Sequence, residues 1–204
     1  MAVFPADYTS AQVASLPTSY FPALSTAQLS AITTAEMTYL TTGQLEGLTT
    51  TQWGLLSTDQ VVALTTTQVA GMATDDMQAL SSAQLSLGIG SDISAFGTTQ
   101  VSLLTTVQAA ALSTLQATSL GTAQISAITS ADAAVLAPDV LSTLTSTQIG
   151  TFTTGAIAAL TTAQVVSGMG TDIVGLVTDQ IVALTTSQVS VLRSEEHTSE
   201  LQSH

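Results

Sequence analysis

The side chains of this chain that could carry chemistry are of few types. Residues 1–192 contain hydroxyls, amides and carboxylates but no Lys, Arg, His or Cys; the one cation and both imidazoles are Arg193, His197 and His204. Neither a Ser-His-Asp nor a Cys-His site can be assembled within residues 1–192, and acid–base catalysis near neutral pH would need a carboxylate with a strongly raised pKa. Zinc or haem-iron sites with histidine ligands are excluded there for the same reason. We therefore expect no enzymatic activity.

Two carboxylate patterns remain as candidate sites. Asp75 and Asp76 are adjacent and could form half of a carboxylate pair, although first-turn positions of short helices explain them more simply. Asp92 and Asp172 each follow two closely spaced glycines and are the candidate calcium ligands. Calcium is the only cofactor that we consider.

The glycine-marked segments read LGIGSDI and SGMGTDI and lie 80 residues apart. The second loosely resembles part of the G-G-x-G-x-D-x-U-x calcium repeat of RTX proteins, which is built from tandem copies, whereas here each copy stands alone. The plainer interpretation is a backbone corner or tight crossing, since glycine adopts conformations closed to other residues. The four glycines to which we assign this structural role are Gly88, Gly90, Gly168 and Gly170.

Composition limits the partners of the chain. Its 204 residues include 1 Lys or Arg against 14 Asp or Glu, a formal net charge of −13. A chain with so few cations cannot neutralise phosphates, so we expect no nucleic-acid partner and no binding to anionic membrane surfaces. No apolar run approaches the roughly 18 residues of a membrane span, and the first residues lack the pattern of a Sec signal peptide.

The last twelve residues, 193–204, read RSEEHTSELQSH and match the translation of a common sequencing adapter. We interpret this tail as an artefact and leave it out of fold reasoning. Without it the net charge is about −11, and we expect the natural chain to continue past Leu192.

Residues 9–192 form one uninterrupted repeat of 23 octads with the consensus Thr-Thr-x-Gln-Val-x-Ala-Leu, preceded by a lead-in at residues 1–8. Position 5 is apolar in all 23 octads, position 8 is a large apolar residue in 21, and position 4 is Gln in 15 and Asp or Glu in five. Self-similarity at a fixed short period is typical of solenoids, in which each unit is stable only against its neighbours.

The octad predicts one very short helix per repeat. Ser or Thr at position 1 with Gln at position 4 is a capping box, which marks a helix start. Nine of the ten acids within the octads lie at positions 3 or 4, where they complement the helix dipole. One straight helix is excluded, because its apolar stripe would drift by about 80° per octad. The predicted fold is an all-α solenoid or superhelix of capped short helices; a β-solenoid is the alternative, since Thr, Val and Ile are abundant and eight is even.

The Leu-Thr-Thr-x-Gln-Val-x-Ala-Leu array over Thr9–Leu192 resembles octad repeats of long bacterial surface or exported proteins, which are loosely described as haem-utilisation, adhesion or RTX-like proteins. The resemblance implies a non-catalytic spacer or interaction scaffold, extracellular or on the bacterial surface. It does not extend to haem, because residues 1–192 contain no histidine. The alternative is a ligand- or calcium-binding module at the glycine-marked octads. The sequence leaves the protein or cell-surface partner open and is compatible with lateral self-association.

Overall fold

A computed structural model of the chain describes residues 8–192. Most of its regular structure is in α-helices of four to six residues, one in each octad that does not carry a 3-10 or π-helix instead. No strand occurs among the described residues, so the all-α prediction is confirmed and the β-solenoid is not found there. The predicted lead-in up to residue 7 and the adapter-like tail lie outside the described residues.

The helices are interrupted by short 3-10 and π-helical segments. The α-helices are Ser10–Ala14, Thr26–Ala31, Thr34–Tyr39, Thr42–Glu46, Thr50–Leu55, Thr58–Val62, Thr66–Ala70, Thr74–Ala79, Thr98–Ser102, Thr106–Ala110, Thr114–Ser119, Thr122–Ser126, Ser130–Ala133, Pro138–Leu141, Ser146–Ile149, Thr154–Ala159 and Thr178–Ala183, and residues 186–192 are also α-helical. The 3-10 helices are Thr18–Ala23, Gly90–Ala95 and Gly170–Gly175, and the π-helices are Gln84–Ile89 and Gln164–Met169.

Each of these α-helices begins at octad position 2, because position 1 is extended, and where position 1 is Ser or Thr its hydroxyl caps the helix. Ser57 is typical: its φ and ψ are −70° and 157°, and its hydroxyl accepts a hydrogen bond from the backbone N–H of Gln60. Pro138 stands at the first helical position, where a missing N–H costs nothing. The capping boxes predicted from the sequence therefore form.

The core consists of the side chains at positions 5 and 8. One turn of helix places these two positions on the same face, and both are buried in most octads, as Leu29 and Ile32 illustrate. Full burial of such a side chain contributes about 1.5–3 kcal/mol. A helix of four to six residues is unstable alone, so this burial against other octads holds the helices in place.

The chain divides into two compact units, one up to Leu104 and one from Thr105 onward, and the boundary falls between two octads. In each unit a helix packs against the helix three octads earlier: Thr58–Val62 contacts Thr34–Tyr39 in the first, and Thr154–Ala159 contacts Ser130–Ala133 in the second. Side-chain hydrogen bonds reach four octads back, as described below. One superhelical turn within a unit therefore takes between three and four octads.

Candidate functional site

The glutamine at octad position 4 joins two turns of the superhelix, as Gln60 shows. Its Oε1 accepts a hydrogen bond of 2.8 Å from the backbone N–H of Ser57, which completes the capping box of its own helix. Its Nε2 donates to the carbonyl oxygens of Leu29 and Ile32, at 2.9 and 2.8 Å. These carbonyls belong to positions 5 and 8 of the octad four places earlier. The partners dictate the amide orientation, because an N–H needs an acceptor and a carbonyl needs a donor.

The same arrangement recurs in both units. Donation to both carbonyls is made by Gln44, Gln52, Gln60, Gln68, Gln84, Gln148, Gln164, Gln180 and Gln188. All of these side chains are buried. An amide buried with its hydrogen bonds satisfied stabilises the fold, whereas an unsatisfied one would destabilise it.

The contact four octads back solves a problem that short helices create. An α-helix leaves its last four carbonyls without intrahelical partners, and in a helix of five residues these are most of its carbonyls. The Gln Nε2 of a later turn donates to the carbonyl of position 5, which also accepts from the N–H of position 8, and to the carbonyl of position 8 just beyond the helix. Each octad is thus capped at its start by its own side chains and at its end by a side chain from the next turn.

Sequence reasoning identified the cap but missed this second role. A signal was present in the residue type: Glu completes a capping box as well as Gln does, yet Gln fills 15 octads and Glu only one. Only the amide carries N–H donors, so the preference for Gln indicates an acceptor elsewhere. The distance to that acceptor, about one turn of the superhelix, could not be read from the octad.

The two glycine-marked segments have the same structure. The π-helix Gln84–Ile89 runs across the usual break and is followed by Gly90 at φ 49° and ψ −131°; Gly170 after Gln164–Met169 has φ 48° and ψ −127°. Only glycine adopts this region without strain. The slipped apolar residues, Ile89 and Met169, are buried as the core positions are.

Gly88 serves a different purpose from Gly90. A Cβ at Gly88 would lie 2.7 Å from Val61 Cγ1, so the absence of a side chain lets the π-helix approach the helix Thr58–Val62. Gly168 approaches Leu141 in the same manner, with a Cβ contact of 3.0 Å. Nothing lies within 4 Å of a Cβ built on Gly90, where backbone conformation alone requires glycine.

The candidate calcium ligands each accept a hydrogen bond from a hydroxyl three octads earlier. Asp92 Oδ1 accepts from Thr66 Oγ1 at 3.2 Å, and Asp172 Oδ1 accepts from Ser146 Oγ at 2.8 Å. The structure does not bring the two carboxylates to other acids: no group of three or more His, Cys, Asp or Glu side chains suited to a metal ion occurs among the described residues. Calcium binding at these positions stays a prediction.

Among the described carboxylates, Asp76 has a raised pKa. It occupies position 4 of octad 9, Ala73–Leu80, which lacks both the capping hydroxyl and the glutamine. Burial raises the pKa of Asp76 from 3.8 to about 6; the Trp53 side chain lowers it in part, and the charges of Asp75 and Glu46 raise it further. Trp53 Nε1 is buried near this carboxylate but makes no hydrogen bond of ordinary geometry within the described residues. Asp75 and Asp76 were candidates together for half of a carboxylate pair, whereas only Asp76 of the two is buried and Asp75 is exposed.

Most large apolar side chains left on the surface lie at octad positions 3, 6 and 7, as Leu115, Val62 and Leu87 do. Among the described residues, these exposed side chains do not belong to a helix that could cross a membrane. None of the helices described between residues 8 and 192 combines the length and the apolar character that crossing a bilayer requires.

Comparison with known proteins finds a family of repeats. A family described as the ALTTAQ repeat matches residues 29–66 and 40–74. These residues belong to the first unit, and the matched motif corresponds to the Ala-Leu-Thr-Thr-x-Gln junction between octads. No curated protein and no solved structure matches the chain. The finding supports a repeat region and carries no information on its role.

Proposed function

We propose that this chain is a non-catalytic repeat region of a larger bacterial surface or secreted protein, in which it acts as a spacer or interaction scaffold. The observation that carries the proposal is the uniform use of the glutamines. In octad after octad the same amide caps one helix and holds the preceding turn. These glutamine side chains thus serve the architecture.

The electrostatic balance supports an exported role. A chain with 14 acidic residues and one cation repels copies of itself and has little attraction for nucleic acids or anionic lipids. Such a surface suits a protein that extends through the space outside a cell. We therefore propose an extracellular or cell-surface location.

A spacer should depend on the number of octads rather than on a single residue. The test displays the full chain on a bacterial surface, between a membrane anchor and an epitope, and measures antibody access as whole octads are removed. We expect access to fall in steps with each group of octads removed. Abrupt loss caused by one surface substitution, with unchanged circular dichroism, would contradict the spacer role.

The location has a separate test. In the bacterium of origin, an epitope-tagged chain should be cleaved by protease added to intact cells or be recovered from the medium. Protection until the cells are lysed would contradict the proposed location and leave the spacer role to the first test.

The alternative is a calcium-binding module at the glycine-marked octads. We do not favour it, because hydroxyls of neighbouring octads already engage Asp92 and Asp172. Calorimetric titration of the full chain with millimolar calcium should give no binding heat. A saturable heat that Asp172→Asn abolishes, and that Asp179→Asn at an exposed first-turn position leaves intact, would establish the alternative.

A further inference from the structure

Octad 9 has a buried carboxyl group in the place where its neighbours have an amide. Position 4 is Gln68 in octad 8 and Gln84 in octad 10, and each donates to carbonyl oxygens 31 and 28 residues earlier. In octad 9 the residue at position 4 is Asp76, which is 6% exposed. The carbonyls in the same register are those of Leu45 and Leu48 in octad 5.

Asp76 cannot perform both tasks of these glutamines. Its side chain is one methylene group shorter, and a carboxylate has no hydrogen to donate. Among the described residues, no side chain donates to the carbonyl of Leu45 or Leu48. Ionised Asp76 therefore adds a negative charge to a contact whose carbonyl oxygens already lack a side-chain donor. Protonated Asp76 carries an O–H, which is the kind of donor that this contact lacks.

The indole of Trp53 gives the same contact a second partner. Trp53 lies at position 5 of octad 6, and its helix packs against that of octad 9. Its side chain is 1% exposed, and its Nε1 is buried without a hydrogen-bond partner among the described residues. The N–H of Trp53 favours the ionised form of Asp76, whereas the carbonyls of octad 5 favour the protonated form. The two forms of the carboxyl group therefore prefer different contacts.

The charges around Asp76 are all negative. Asp75 precedes it on the same helix, and Glu46 belongs to octad 5. The packed helix Thr50–Leu55 carries no charged residue, and neither does the stretch 97–128, which includes the helix of octad 12 that also packs against octad 9. Burial raises the pKa of Asp76 to about 6, the side chain of Trp53 lowers it in part, and the charges of Asp75 and Glu46 raise it further. A proton is thus what neutralises this carboxyl group.

We propose that Asp76, Trp53 and the carbonyls of Leu45 and Leu48 form a proton-operated joint between two turns of the first unit. Protonated Asp76 donates its O–H to a carbonyl of octad 5 and closes the joint. Ionised Asp76 accepts from Trp53 Nε1, draws water to the buried charge and loosens the packing of octad 9 on octad 6. The joint is closed in mild acid and loosens as the pH rises through 6, because ionisation is disfavoured in the packed state.

This inference goes beyond the spacer role, because it gives the first unit a local opening that pH controls. Local opening exposes buried side chains while the rest of the fold persists. The chain has a single tryptophan, so the fluorescence of Trp53 reports on the joint alone.

The experiment measures quenching of Trp53 fluorescence by acrylamide in the full chain from pH 4 to pH 8 at constant ionic strength. We expect weak quenching at pH 4 and a severalfold larger quenching constant at pH 8, with a midpoint near pH 6. Quenching is the criterion rather than emission wavelength, because a nearby charge shifts the emission without any movement. A quenching constant that does not change with pH overturns the proposal.

Two variants of Asp76 test the joint. Asp76→Asn cannot ionise, so its quenching constant should not change with pH. Asp76→Gln introduces the regular residue and should keep Trp53 weakly quenched at pH 8. The capping hydroxyl that octad 9 lacks is not needed for this, since Gln180 makes the regular contacts in octad 22, where position 1 is Val177.

The matched control is Asp132→Asn, because Asp132 is also a buried aspartate at position 4 but lies in octad 16 of the second unit. This variant should keep the pH transition of Trp53. A transition that persists in Asp76→Asn, or that Asp132→Asn abolishes as well, overturns the proposal.

Circular dichroism over the same pH range separates local opening from unfolding. The helical signal of the wild type should stay constant, and quenching that rises only as this signal is lost would overturn a local joint. If Asp76→Gln loses its helices because the longer side chain does not fit beside Trp53, Asp76→Asn decides by the same criterion. Failure of the proposal leaves the spacer role intact, because surface display tests that role independently.

Discussion

At the scale of single residues, position 4 shows how one amide serves two helices. Gln60 Oε1 caps its own helix, and Gln60 Nε2 satisfies Leu29 and Ile32 one turn away. A carboxylate can perform the first task and not the second. Glu36 illustrates this: its Oε2 caps Thr33 at 2.8 Å, while its Oε1 is buried without a hydrogen-bond partner among the described residues.

We predict that Gln60→Glu lowers the free energy of unfolding by about 2–4 kcal/mol, because the Ile32 carbonyl loses its side-chain donor, the Leu29 carbonyl keeps only the N–H of Ile32, and a charge is buried beside them. The matched control is Gln12→Glu, at an exposed position whose Nε2 has no partner in residues 8–192, where a change below about 0.5 kcal/mol is expected. Urea unfolding of the two variants at low protein concentration measures the difference. Equal losses would mean that the cap, and not the contact between turns, carries the stability.

Asp76 predicts a pH dependence of stability. Its pKa is about 6 in the folded chain and 3.8 ordinarily, so its ionised form destabilises the folded state. This cost is present above pH 6, declines as the pH falls, and is gone below pH 3.8, where the group is protonated in both states. The free energy of unfolding should therefore rise by about 1–2 kcal/mol from pH 7 to pH 4, less than the full shift implies because water screens the group.

Thermal unfolding between pH 7 and pH 4 measures this term when wild type and Asp76→Asn are compared. The variant should be more stable at pH 7 and should lack the Asp76 part of the pH dependence. Asp75→Asn is the control, since it removes a neighbouring charge from an exposed position. If Asp75→Asn flattens the profile as much as Asp76→Asn does, general charge repulsion explains the dependence and burial of Asp76 does not.

At the scale of the helices, each glycine-marked segment needs two glycines, two positions apart, for two different structural reasons. Gly88 allows a close approach to Val61, and Gly90 allows a positive φ. The sequence indicated a corner or crossing here from the slipped apolar residue. It could not assign one reason to each glycine, because the neighbour of Gly88 lies three octads earlier in the chain.

A double-mutant cycle separates the two reasons. Gly88→Ala should cost about 1–3 kcal/mol through overpacking, and Val61→Ala should recover much of that cost by making room. Gly90→Ala should cost about 1–2 kcal/mol through backbone strain, and Val61→Ala should not relieve it. Urea unfolding of the single and double variants gives the coupling energies. A coupling of Val61 to Gly90 as large as that to Gly88 would refute the division of roles.

At the scale of the whole molecule, the short helix of each octad is stabilised by contacts with octads three and four places away in the same unit. Outside the glycine-marked segments, the regular octads use the same contacts and differ little in what they require of their neighbours. The period keeps the position 4 amide in register with the position 5 and position 8 carbonyls four octads earlier.

Removal of residues 65–72, one complete octad, should keep the helical content per residue and the cooperative unfolding of the chain. Removal of residues 65–68 shifts position 5 out of the core for the octads that follow. We expect that half-octad deletion to lower the helical signal and the unfolding midpoint well below those of the octad deletion. Far-UV circular dichroism and urea unfolding of both deletions provide the measurement. Similar behaviour of the two would show that the register of eight does not hold the fold together.

Local rules were enough to predict the repeating unit from the sequence. A hydroxyl at position 1 and a glutamine at position 4 meet within three residues, and positions 5 and 8 share a helix face by geometry alone. The helix starts, the core positions and the all-α class therefore followed from spacing, because hydrogen bonds and helix geometry act over a single turn.

Tertiary structure decided the features that join residues roughly three to four octads apart in the sequence. The number of octads per turn, the second task of the glutamines, the contact of Gly88 with Val61 and the raised pKa of Asp76 all arise where one turn meets the next. A period of eight residues is equally compatible with any number of units per turn. Only packing selects among them, because the angle between successive helices depends on how the side chains of positions 5 and 8 fill the shared core.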